Sequence, residues 1–479
     1  MCKKIIAVLL SFTIVFSLTG CSKGESLNPK NPVTITIWHY YNGSQQQAFD
    51  NMVEEFNQTL GKEKGIIVAA YSQGDVNGLT EKVTASVNKD VGAGDMPDIF
   101  SAYADTAYDF DNRDMAVDIS KHLTEEELNE YIPSYIEEGR FSEDGGVKMF
   151  PIAKSTEVLM LNKTQWDAFK AANDASDSEL STWEGITAVA AEYYDWTNSL
   201  TDEKDDGKAF FGRDAVANYF LIGSMQLGDE IFEVKDGKAS FNVDAKTMKK
   251  LWDNLYVPYV NGYFGAYGRF RSDDLKTGQI AAYVGSTSSA AYFPTEVTNE
   301  DGTTCAIECQ VLPLPNFKGT KPMAVQQGAG MVITKSTPVK QAASIEFLKW
   351  FTDYTQNVEF SIMSGYMPVK KSANTPQALA DTQEKFGSAL SDATKQTLPV
   401  AIAMTQEYTL YTSNAFDNGY NARKILEFSL IDIANENLVK IEELVKSGVS
   451  RSEAASRFTT QEDFDAWLQV LQAKFAELQ

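Results

Sequence analysis

Four side chains that could bind a small molecule stand at the ends of β-branched segments in the first part of the chain. They are His39 and Tyr40 after ITIW, Tyr71 at the end of GIIVAAY, and Asp105 after PDIFSAYA. A carboxylate accepts charge-assisted hydrogen bonds from two adjacent hydroxyl groups. A tyrosine offers an apolar ring face together with a hydroxyl, and a histidine can donate from a ring nitrogen. The set suits binding of a hydroxyl-rich molecule, with packed rings, a structural histidine and a surface aspartate as the ordinary alternatives.

Motifs of catalysis and nucleotide binding are not found in the sequence. There is no P-loop, no G-x-S-x-G elbow and no H-E-x-x-H motif, and GAGDMP and GAGMVI lack the third glycine of a dinucleotide fingerprint. Only two histidines are present, and the 66 acidic residues make carboxylate pairs uninformative about glycoside hydrolysis. We therefore expect a binding protein without cofactor or metal, with a secreted glycan-active enzyme as a less favoured alternative.

The segments that carry these side chains predict a parallel sheet. PVTITIWHYY, GIIVAAYS and PDIFSAY read as strands because β-branched and aromatic residues favour them, and helical stretches lie between. Ser44 with Gln47 predicts a capping box at the start of the first helix. Alternating strands and helices are typical of parallel α/β sheets, which bind ligands off the carboxyl ends of their strands. The loops after the three strands are therefore candidate binding loops.

The first 32 residues read as a secretion signal followed by a tether. Lys3 and Lys4 precede an apolar stretch that is too short to span roughly 30 Å of hydrocarbon comfortably. The sequence Leu-Thr-Gly-Cys ending at Cys21 has the form of a lipobox, so we expect a signal peptide at 1–20 and lipidation of Cys21. Residues 21–32 are polar with Gly and Pro, as a flexible tether needs to be. Two acyl chains on Cys21 would hold the protein on the extracellular face of a bacterial membrane.

The remaining composition is that of a large acidic protein. The 479 residues exceed the usual size of a single hydrophobic core, so two lobes are expected. The formal net charge of −24 argues against nucleic acid as a partner, because phosphate binding relies on Lys and Arg. Cys305 and Cys309 could meet on a helix, and the sequence leaves a disulfide between them open.

Seven segments follow one another in a recognisable order. They are ITIWHYYNG, GDMPDIFSAYAD, MFPIAKSTEVLMLNKTQWDAF, STWEGITAVA, LKTGQIAAYVGSTSS, QQGAGMVITKS and SGYMPVKKSA. Each is weak by itself, but their order resembles the family 1 extracellular solute-binding proteins, the substrate receptors of ABC carbohydrate importers. The resemblance runs from residue 33 to about residue 423.

The resemblance implies an α/β, two-lobed fold of the periplasmic-binding-protein type II, with a ligand cleft between the lobes. The expected lobe 1 is 33–153 and 330–363, and the expected lobe 2 is 154–329 and 364–479. The chain is expected to cross between them near 153–157, 325–330 and 363–368.

The resemblance also implies site residues. The closest-looking subgroup includes binders of glycerol-3-phosphate and glycerophosphodiesters, and the positions matching their sites are Tyr71, Ser155, Ser286, Gly328, Tyr366 and Arg423. Thr156 and Thr287 add hydroxyls beside two of these, and a glycine lets a backbone N–H approach a ligand. One position departs from that subgroup. Where those binders have a glutamate at the end of the third strand, this chain has Ala104 followed by Asp105, and sugar binders of the family often use an aspartate there.

The function implied is that of a lipid-anchored, monomeric receptor at the outer face of the cell membrane. It would capture a mono- or oligosaccharide and deliver it to the permease subunits of an ABC transporter. The alternative ligand is glycerol-3-phosphate or another phosphorylated polyol, with Arg423 as the anion partner. The departure at Asp105 favours the sugar.

Overall fold

The computed structural model describes residues 26–142, 144–235, 237–299, 302–386 and 390–478, so the predicted signal peptide and Cys21 lie outside the described residues. The strands are β1 Val33–His39, β2 Ile66–Ser72, β3 Ile99–Ala102, β4 Phe150–Pro151, β5 Glu157–Asn162, β6 Phe211–Arg213, β7 Phe232–Lys235, β8 Lys238–Phe241, β9 Ala282–Ser286, β10 Glu296–Thr298, β11 Thr304–Ala306, β12 Cys309–Pro313, β13 Met323–Val325, β14 Gly330–Ile333 and β15 Thr409–Tyr411. The helices are α1 Gly43–Gln58, α2 Leu60–Lys64, α3 Val76–Asn88, α4 Ala104–Asp111, α5 Glu125–Asn129, α6 Pro133–Glu137, α7 Lys163–Asn173, α8 Trp183–Asn198, α9 Val216–Leu227, α10 Ala245–Val260, α11 Arg271–Lys276, α12 Pro338–Phe351, α13 Tyr354–Ser364, α14 Pro376–Phe386, α15 Asp392–Glu407, α16 Gly419–Lys446, α17 Arg451–Ser456 and α18 Gln461–Ala476. Within the described ranges, no helix combines the length and the apolar character needed to cross a membrane.

The first sheet has the strand order β2–β1–β3–β14–β4. β1 runs parallel to β2 and to β3, as the alternation of strands and helices predicts. β14 joins from much later in the chain and is antiparallel to β3 and β4. Trp38 lies opposite both Tyr71 and Phe100, so the three parallel strands end at one edge of the sheet.

The start of α1 differs from the prediction. The helix begins at Gly43 with Asn42 as its N-cap, and no side chain caps it. Gly43 has a φ of +51°, a conformation that glycine adopts without strain. The predicted capping box of Ser44 and Gln47 is therefore wrong, because Ser44 already lies inside the first turn.

The second sheet has the strand order β12–β5–β9–β6. β5 is antiparallel to β12 and β9, and β6 is parallel to β9. Every residue of β5 is buried, as in a strand covered on both faces. The long helices α16 and α18 complete this core with residues such as Leu426 and Trp467.

Buried apolar residues form two main clusters that follow the two sheets. One draws on residues between 35 and 153 and between 329 and 369, together with Ala415. The other draws on residues between 158 and 325 and between 393 and 475. A third, small cluster joins α13, α14 and α15. The names lobe 1 and lobe 2 are used below for the residue ranges predicted above, whose boundaries remain a prediction.

Four backbone segments lie side by side where the chain passes between the two sheets. Lys154 pairs with Met367, Ser155 pairs with Gln327, and β13 pairs in parallel with β15. We call this set the hinge ribbon, and its segments in spatial order are 366–367, 154–155, 325–327 and 409–411. The first three fall at the expected crossings, whereas the segment 409–411 was not expected from the sequence.

The two cysteines left open by the sequence are both free thiols. Cys305 lies on β11 and is exposed, and Cys309 lies on β12 and is buried. They occupy separate strands rather than one helix, so the helical spacing that would have allowed a disulfide is not present.

Candidate functional site

An inner cavity of about 60 Å³ lies between the lobes, against the hinge ribbon. Its wall includes Tyr103, Asp105, Glu138, Gln326, Tyr411 and Arg423. Asp105 belongs to the first turn of α4, directly after β3, and Arg423 belongs to the first turns of α16. Two of the predicted site residues, one from each lobe, therefore face the same space.

The Asp105 carboxylate lies against the first residue of α16. A Cβ built on Gly419 would stand 2.5 Å from Asp105 Oδ1, so any larger residue there would displace the carboxylate. Loss of hydration raises the pKa of Asp105 to about 6, Arg423 opposes that rise, and the Asp109 and Glu138 carboxylates add to it. Asp105 is therefore a carboxylate at neutral pH that gains a proton near pH 6. The N-terminus of a helix favours such a negative charge.

Arg423 is held in place by a chain of buried polar groups. Its Nη2 donates to Asn218 Oδ1 at 2.9 Å, and Asn218 Nδ2 donates to Glu157 Oε1 at 2.9 Å. Glu157 also forms an ion pair with Arg213 at 2.6 Å. Glu157 and Asn218 are each 1% exposed, and Arg213 is 4% exposed. Because Asn218 and Glu157 are buried and hydrogen-bonded, they hold the partly buried guanidinium of Arg423 in place at the cavity wall.

One turn further along α16, Glu427 fixes the same helix to α9. Its carboxylate oxygens accept hydrogen bonds from the backbone N–H groups of Val216 at 3.1 Å and Ala217 at 2.8 Å. These N–H groups are unsatisfied within α9 because they belong to its first turn. Arg423 and Glu427 therefore both anchor α16 to the start of α9, where Asn218 lies.

Tyr40 and Tyr366 meet at the other end of the hinge ribbon. Their hydroxyls are 3.0 Å apart, and Ala329 N–H donates to Tyr40 Oη at 3.4 Å. The rings are 8% and 4% exposed, and Tyr366 stacks on Phe360 with centroids 6.3 Å apart. In this arrangement both rings pack against protein, and their hydroxyls connect the end of β1 to the ribbon.

Gly328 makes a close approach to a neighbouring segment of backbone. Its φ is +92°, and a Cβ built on it would stand 2.8 Å from the carbonyl oxygen of Ala153. Lys154 Nζ donates to the Gly328 carbonyl at 2.6 Å and pairs with Glu138 at 2.7 Å. The glycine is thus required by the packing of two crossing segments, and its carbonyl is already engaged.

His39 lies in the core of lobe 1 and not at the cleft, which corrects its proposed part as a cleft donor. Along β1 the side chains of Ile35, Ile37 and His39 alternate onto the buried face, and His39 is fully buried. Its ring packs on Phe49 with centroids 4.7 Å apart. Burial lowers its pKa to about 4, and neither ring nitrogen has a hydrogen-bond partner among the described residues.

The predicted hydroxyl groups are mostly buried beside the ribbon. Ser155 is 2% exposed, and Thr156 and Thr287 are fully buried. The hydroxyls of Thr156 and Thr287 have no hydrogen-bond partner in the described part of the chain. Ser286 Oγ accepts from Ser288 N at 3.3 Å and caps the short turn that follows β9. None of these side chains lines the inner cavity.

Tyr71 lies outside the inner cavity, near contacts that join the two lobes at their rim. It ends β2 and is 54% exposed. Four residues further on, Asp75 forms an ion pair with Arg269 of lobe 2. Tyr292 of lobe 2 donates to the Asn42 carbonyl at 2.9 Å. The contacts at the rim and the small volume of the inner cavity both indicate that the two lobes are closed on each other.

Sequence reasoning missed several residues of the cavity wall. Glu138 lies at the C-terminal end of α6, and Gln326 and Tyr411 lie in two segments of the hinge ribbon. These residues are far from Asp105 in the sequence, and only the tertiary structure brings them to the same cavity. Tyr103 is different, since it directly precedes α4 at the end of a predicted strand, and the strand-end rule could have found it. Among the described residues, no group of histidine, cysteine, aspartate or glutamate side chains could hold a metal ion.

A family model settles what kind of protein has this architecture. The model described as bacterial extracellular solute-binding protein matches residues 51–387, well over half of the chain. This chain belongs to that family. The family resemblance of the sequence motifs is thereby confirmed, and the protein is a solute-binding protein of the extracellular class.

Solved structures of other solute-binding proteins share its fold. UgpB from Mycobacterium tuberculosis in complex with glycerophosphocholine is 17% identical, covers 93% of this chain and 100% of its own, and has a TM-score of 0.65. The cyclic alpha-maltosyl-1,6-maltose binding protein from Arthrobacter globiformis is 17% identical, covers 91% and 99%, and has a TM-score of 0.60. The maltose/maltodextrin-binding domain MalE from Bdellovibrio bacteriovorus bound to maltotriose is 14% identical, covers 91% and 99%, and has a TM-score of 0.62.

These similarities confirm the predicted α/β, two-lobed fold of this solute-binding protein. No curated protein sequence matches it. At identities this low the structural similarity supports the fold alone. The identity of the ligand is therefore inferred from the residues of this chain.

Proposed function

We propose that this solute-binding protein captures a carbohydrate outside the cell and delivers it to the permease of an ABC importer, without altering it. One observation carries the proposal: Asp105 of lobe 1 and Arg423 of lobe 2 face one cavity at the hinge ribbon. A ligand with several hydroxyls can donate to the carboxylate and accept from the guanidinium at the same time. Such a ligand needs contacts from both lobes, which is what a closing cleft supplies.

The charge of the cavity supports a neutral ligand. Glu138, the second carboxylate in the wall, is neutralised by Lys154. Asp105 and Arg423 then balance each other, which leaves no surplus of positive charge for a phosphate. A neutral polyol meets hydrogen-bonding partners here without bringing an uncompensated charge into a poorly hydrated site.

Delivery would depend on closure of the two lobes. A ligand that contacts both lobes binds the closed state more tightly than the open state. The difference between these two binding free energies is the free energy by which the ligand stabilises the closed state. The inner cavity of about 60 Å³ is far smaller than the roughly 300–1,000 Å³ of ligand pockets, so the lobes must separate before a sugar enters. A permease that recognises the ligand-closed form would then distinguish loaded from empty receptors.

A phosphorylated polyol is the second candidate, and Arg423 together with the start of α16 is the observation in its favour. A guanidinium beside a helix N-terminus is a recognised setting for an anion. Asp105 argues against it, since its carboxylate already lies against Gly419 at that helix end and would repel a phosphate. The sugar is therefore the preferred ligand.

The membrane anchor is part of the same proposal. Cys21 follows a lipobox and precedes a polar tether, so the receptor would be a monomer held by two acyl chains at the outer face of a bacterial membrane. Mass spectrometry of the membrane-extracted protein should show a diacylglycerol-modified Cys21 at the N-terminus. Protein from a Cys21→Ala strain should appear in the medium, and continued membrane retention of that variant would contradict the anchor.

A thermal-shift panel tests the ligand class. The purified protein is heated with monosaccharides, oligosaccharides and glycerol-3-phosphate, because a ligand that binds only the folded state adds about 2.7 kcal/mol at a hundredfold excess over its Kd. A shift with a sugar alone supports the proposal, and a shift with glycerol-3-phosphate alone overturns the sugar in favour of the second candidate. Chromatography of the incubated oligosaccharides checks that they emerge uncleaved, and shortened products would identify a glycan-active enzyme instead.

A further inference from the structure

Three side-chain contacts join the two lobes outside the inner cavity. They pair Asp75 with Arg269, Asn42 with Tyr292, and Asn77 with Tyr420. The first member of each pair lies in lobe 1 at the start of α1 or α3, and the second member lies in lobe 2. We call this set the rim latch. None of its six residues lines the inner cavity, so each contact is made by protein alone.

Two of the three contacts lie at the side of lobe 1 that is farthest from the crossing segments. Asp75 and Asn77 follow β2, which is the edge strand of the first sheet. The hinge ribbon is reached from β14 and β4, toward the other edge of that sheet. Three strand spacings of about 4.8 Å separate β2 from β14. An opening rotation about the ribbon therefore displaces the start of α3 from lobe 2 by more than it displaces residues beside the ribbon.

The Asp75 carboxylate is held in place by its own helix. Its Oδ1 accepts a hydrogen bond from the Gly78 N–H at 2.8 Å, as an N-cap, and its Oδ2 pairs with Arg269 Nη2. The Gly78 hydrogen bond and the Arg269 guanidinium lower the pKa of Asp75, so the carboxylate is charged at neutral pH. In lobe 2, the Arg269 Cζ lies 5.2 Å from the centroid of the Phe270 ring. Both partners are therefore oriented by their own lobes, which reduces the entropy lost when the pair forms.

Two tyrosine hydroxyls complete the rim latch. Tyr292 Oη donates to the Asn42 carbonyl at 2.9 Å. Tyr420 Oη donates to Asn77 Oδ1 at 3.0 Å. The Asn42 side chain in turn donates to the Gly74 carbonyl at 3.0 Å, which joins the loops that precede α1 and α3. The start of α3 thus contacts two separate parts of lobe 2, the segment before α11 and the start of α16.

We propose that the rim latch sets the affinity of this receptor from outside its ligand site, by holding part of the ligand-free population closed. A ligand that binds the closed arrangement has an apparent Kd equal to its intrinsic Kd divided by the closed fraction. An exposed ion pair or hydrogen bond changes such an equilibrium by about two- to fivefold. Three such contacts together change the ratio of closed to open protein by about tenfold or more. Asp75 and Arg269 are positioning residues, because they act on the ligand only through the arrangement of the lobes.

Small-angle X-ray scattering of the ligand-free protein tests the rim latch without any assumption about the ligand. Asp75→Asn keeps an N-cap side chain but removes the charge, and Arg269→Gln removes the partner charge. Each variant should lower the ratio of closed to open protein by about two- to fivefold and so increase the radius of gyration. The double variant should match the single variants, because both remove the same contact. Lys335→Gln breaks an exposed ion pair with Asp114 within lobe 1 and is the matched control, with the parental radius.

The two tyrosine contacts are tested by removing their hydroxyls alone. Tyr292→Phe and Tyr420→Phe keep the rings but lose the donors to lobe 1. Combined with Asp75→Asn, they should lower the ratio of closed to open protein by about tenfold or more and give the largest radius of gyration of the series. A triple variant with the radius of Asp75→Asn alone would remove the tyrosines from the latch.

Ionic strength gives a readout that a merely structural role would not change. Salt screens an exposed ion pair, so the radius of gyration of the parent should rise between about 0.02 M and about 0.5 M sodium chloride. The rise should persist in Lys335→Gln and be absent in Asp75→Asn. Parental radii in both ion-pair variants, or a salt response that persists in Asp75→Asn, overturn the rim latch. The carbohydrate proposal stands in either case, because no sugar enters these measurements, and melting curves establish that the variants are folded.

Discussion

Asp105 of lobe 1 and Gly419 of lobe 2 touch across the cleft, although 314 positions separate them in the chain. The Asp105 carboxylate lies so close to Gly419 that a Cβ there would stand 2.5 Å from Oδ1. The contact joins the first turn of α4, which follows β3 of the first sheet, to the start of the long helix α16, which packs against α9 in the second core. It therefore reports directly on whether the two lobes are closed.

Gly419→Ala should disfavour closure. The added methyl meets the Asp105 carboxylate, and overpacking of this kind destabilises an arrangement by about 1–3 kcal/mol. Small-angle X-ray scattering of the sugar-saturated protein should show a larger radius of gyration for the variant, with weaker binding in calorimetry. Gly94→Ala is the matched control, because nothing lies within 4 Å of a Cβ built there. A Gly419→Ala protein with parental scattering and affinity would contradict the contact.

Asp105→Ala should weaken sugar binding by about 1.5–3 kcal/mol, as expected on losing a charged hydrogen-bond acceptor. Folding should remain intact, because burial raises the pKa of the Asp105 carboxylate in the folded protein, and alanine has no charge to dehydrate. Calorimetry measures the change, and Asp432→Ala on the exposed face of α16 is the control. Parental affinity in the Asp105→Ala variant would remove this residue from the binding site.

Asp105→Asn should change how stability depends on pH. The pKa of Asp105 is about 6 in the folded protein and 3.8 ordinarily, so the folded state holds the proton more tightly. The stability that this group contributes is fully present below about pH 4 and is lost as the pH rises through about 6. The variant should therefore unfold at a higher denaturant concentration than the parent at pH 7.5, with the difference shrinking toward pH 4. A variant less stable than the parent at pH 7.5 would contradict the cause assigned to this pKa.

Glu157→Gln should be strongly destabilising because it leaves Arg213 buried without its charge partner. Loss of one partner of a buried pair costs about 3–5 kcal/mol, measured as the free energy of unfolding in urea. The Lys163–Asp167 pair has the same 2.6 Å separation but is 39% and 44% exposed. Asp167→Asn should accordingly cost less than about 1 kcal/mol. Equal losses in the two variants would show that burial is not what distinguishes the pairs.

Arg423→Ala should lower affinity for the sugar by about 1.5–3 kcal/mol, because a charged donor in the cavity is lost. Arg423→Lys should recover part of that loss but not all, since lysine has no planar fork to reach Asn218 and the ligand together. Arg457→Ala, at an exposed arginine paired with Glu453, is the control in the same titrations. Full affinity in Arg423→Ala would place the ligand elsewhere.

Local sequence was sufficient for the parallel strands and for Asp105. β-branched residues favour strands, the intervening helices make β1, β2 and β3 parallel, and parallel strands end at one edge. Asp105 follows β3 at that edge, so its position near the cleft could be predicted without coordinates. The alternation of side chains along β1 could also have predicted that His39 is buried, because every second residue of a strand faces the same side and His39 follows Ile35 and Ile37 on the buried face.

The cavity itself was decided by tertiary structure. Arg423 faces Asp105 only because α16 is fixed to α9 through Asn218 and Glu427, contacts that span more than 200 positions. Segment 409–411 joins the hinge ribbon through β13, and its short strand has no strong pattern of its own. The sequence by itself determined the first three parallel strands and the helices between them, because propensity and periodicity act over a few residues, and the order of its motifs indicated the family. The closed cleft depends on contacts between residues far apart in the chain, whose free energy is set by packing and burial that no local pattern contains.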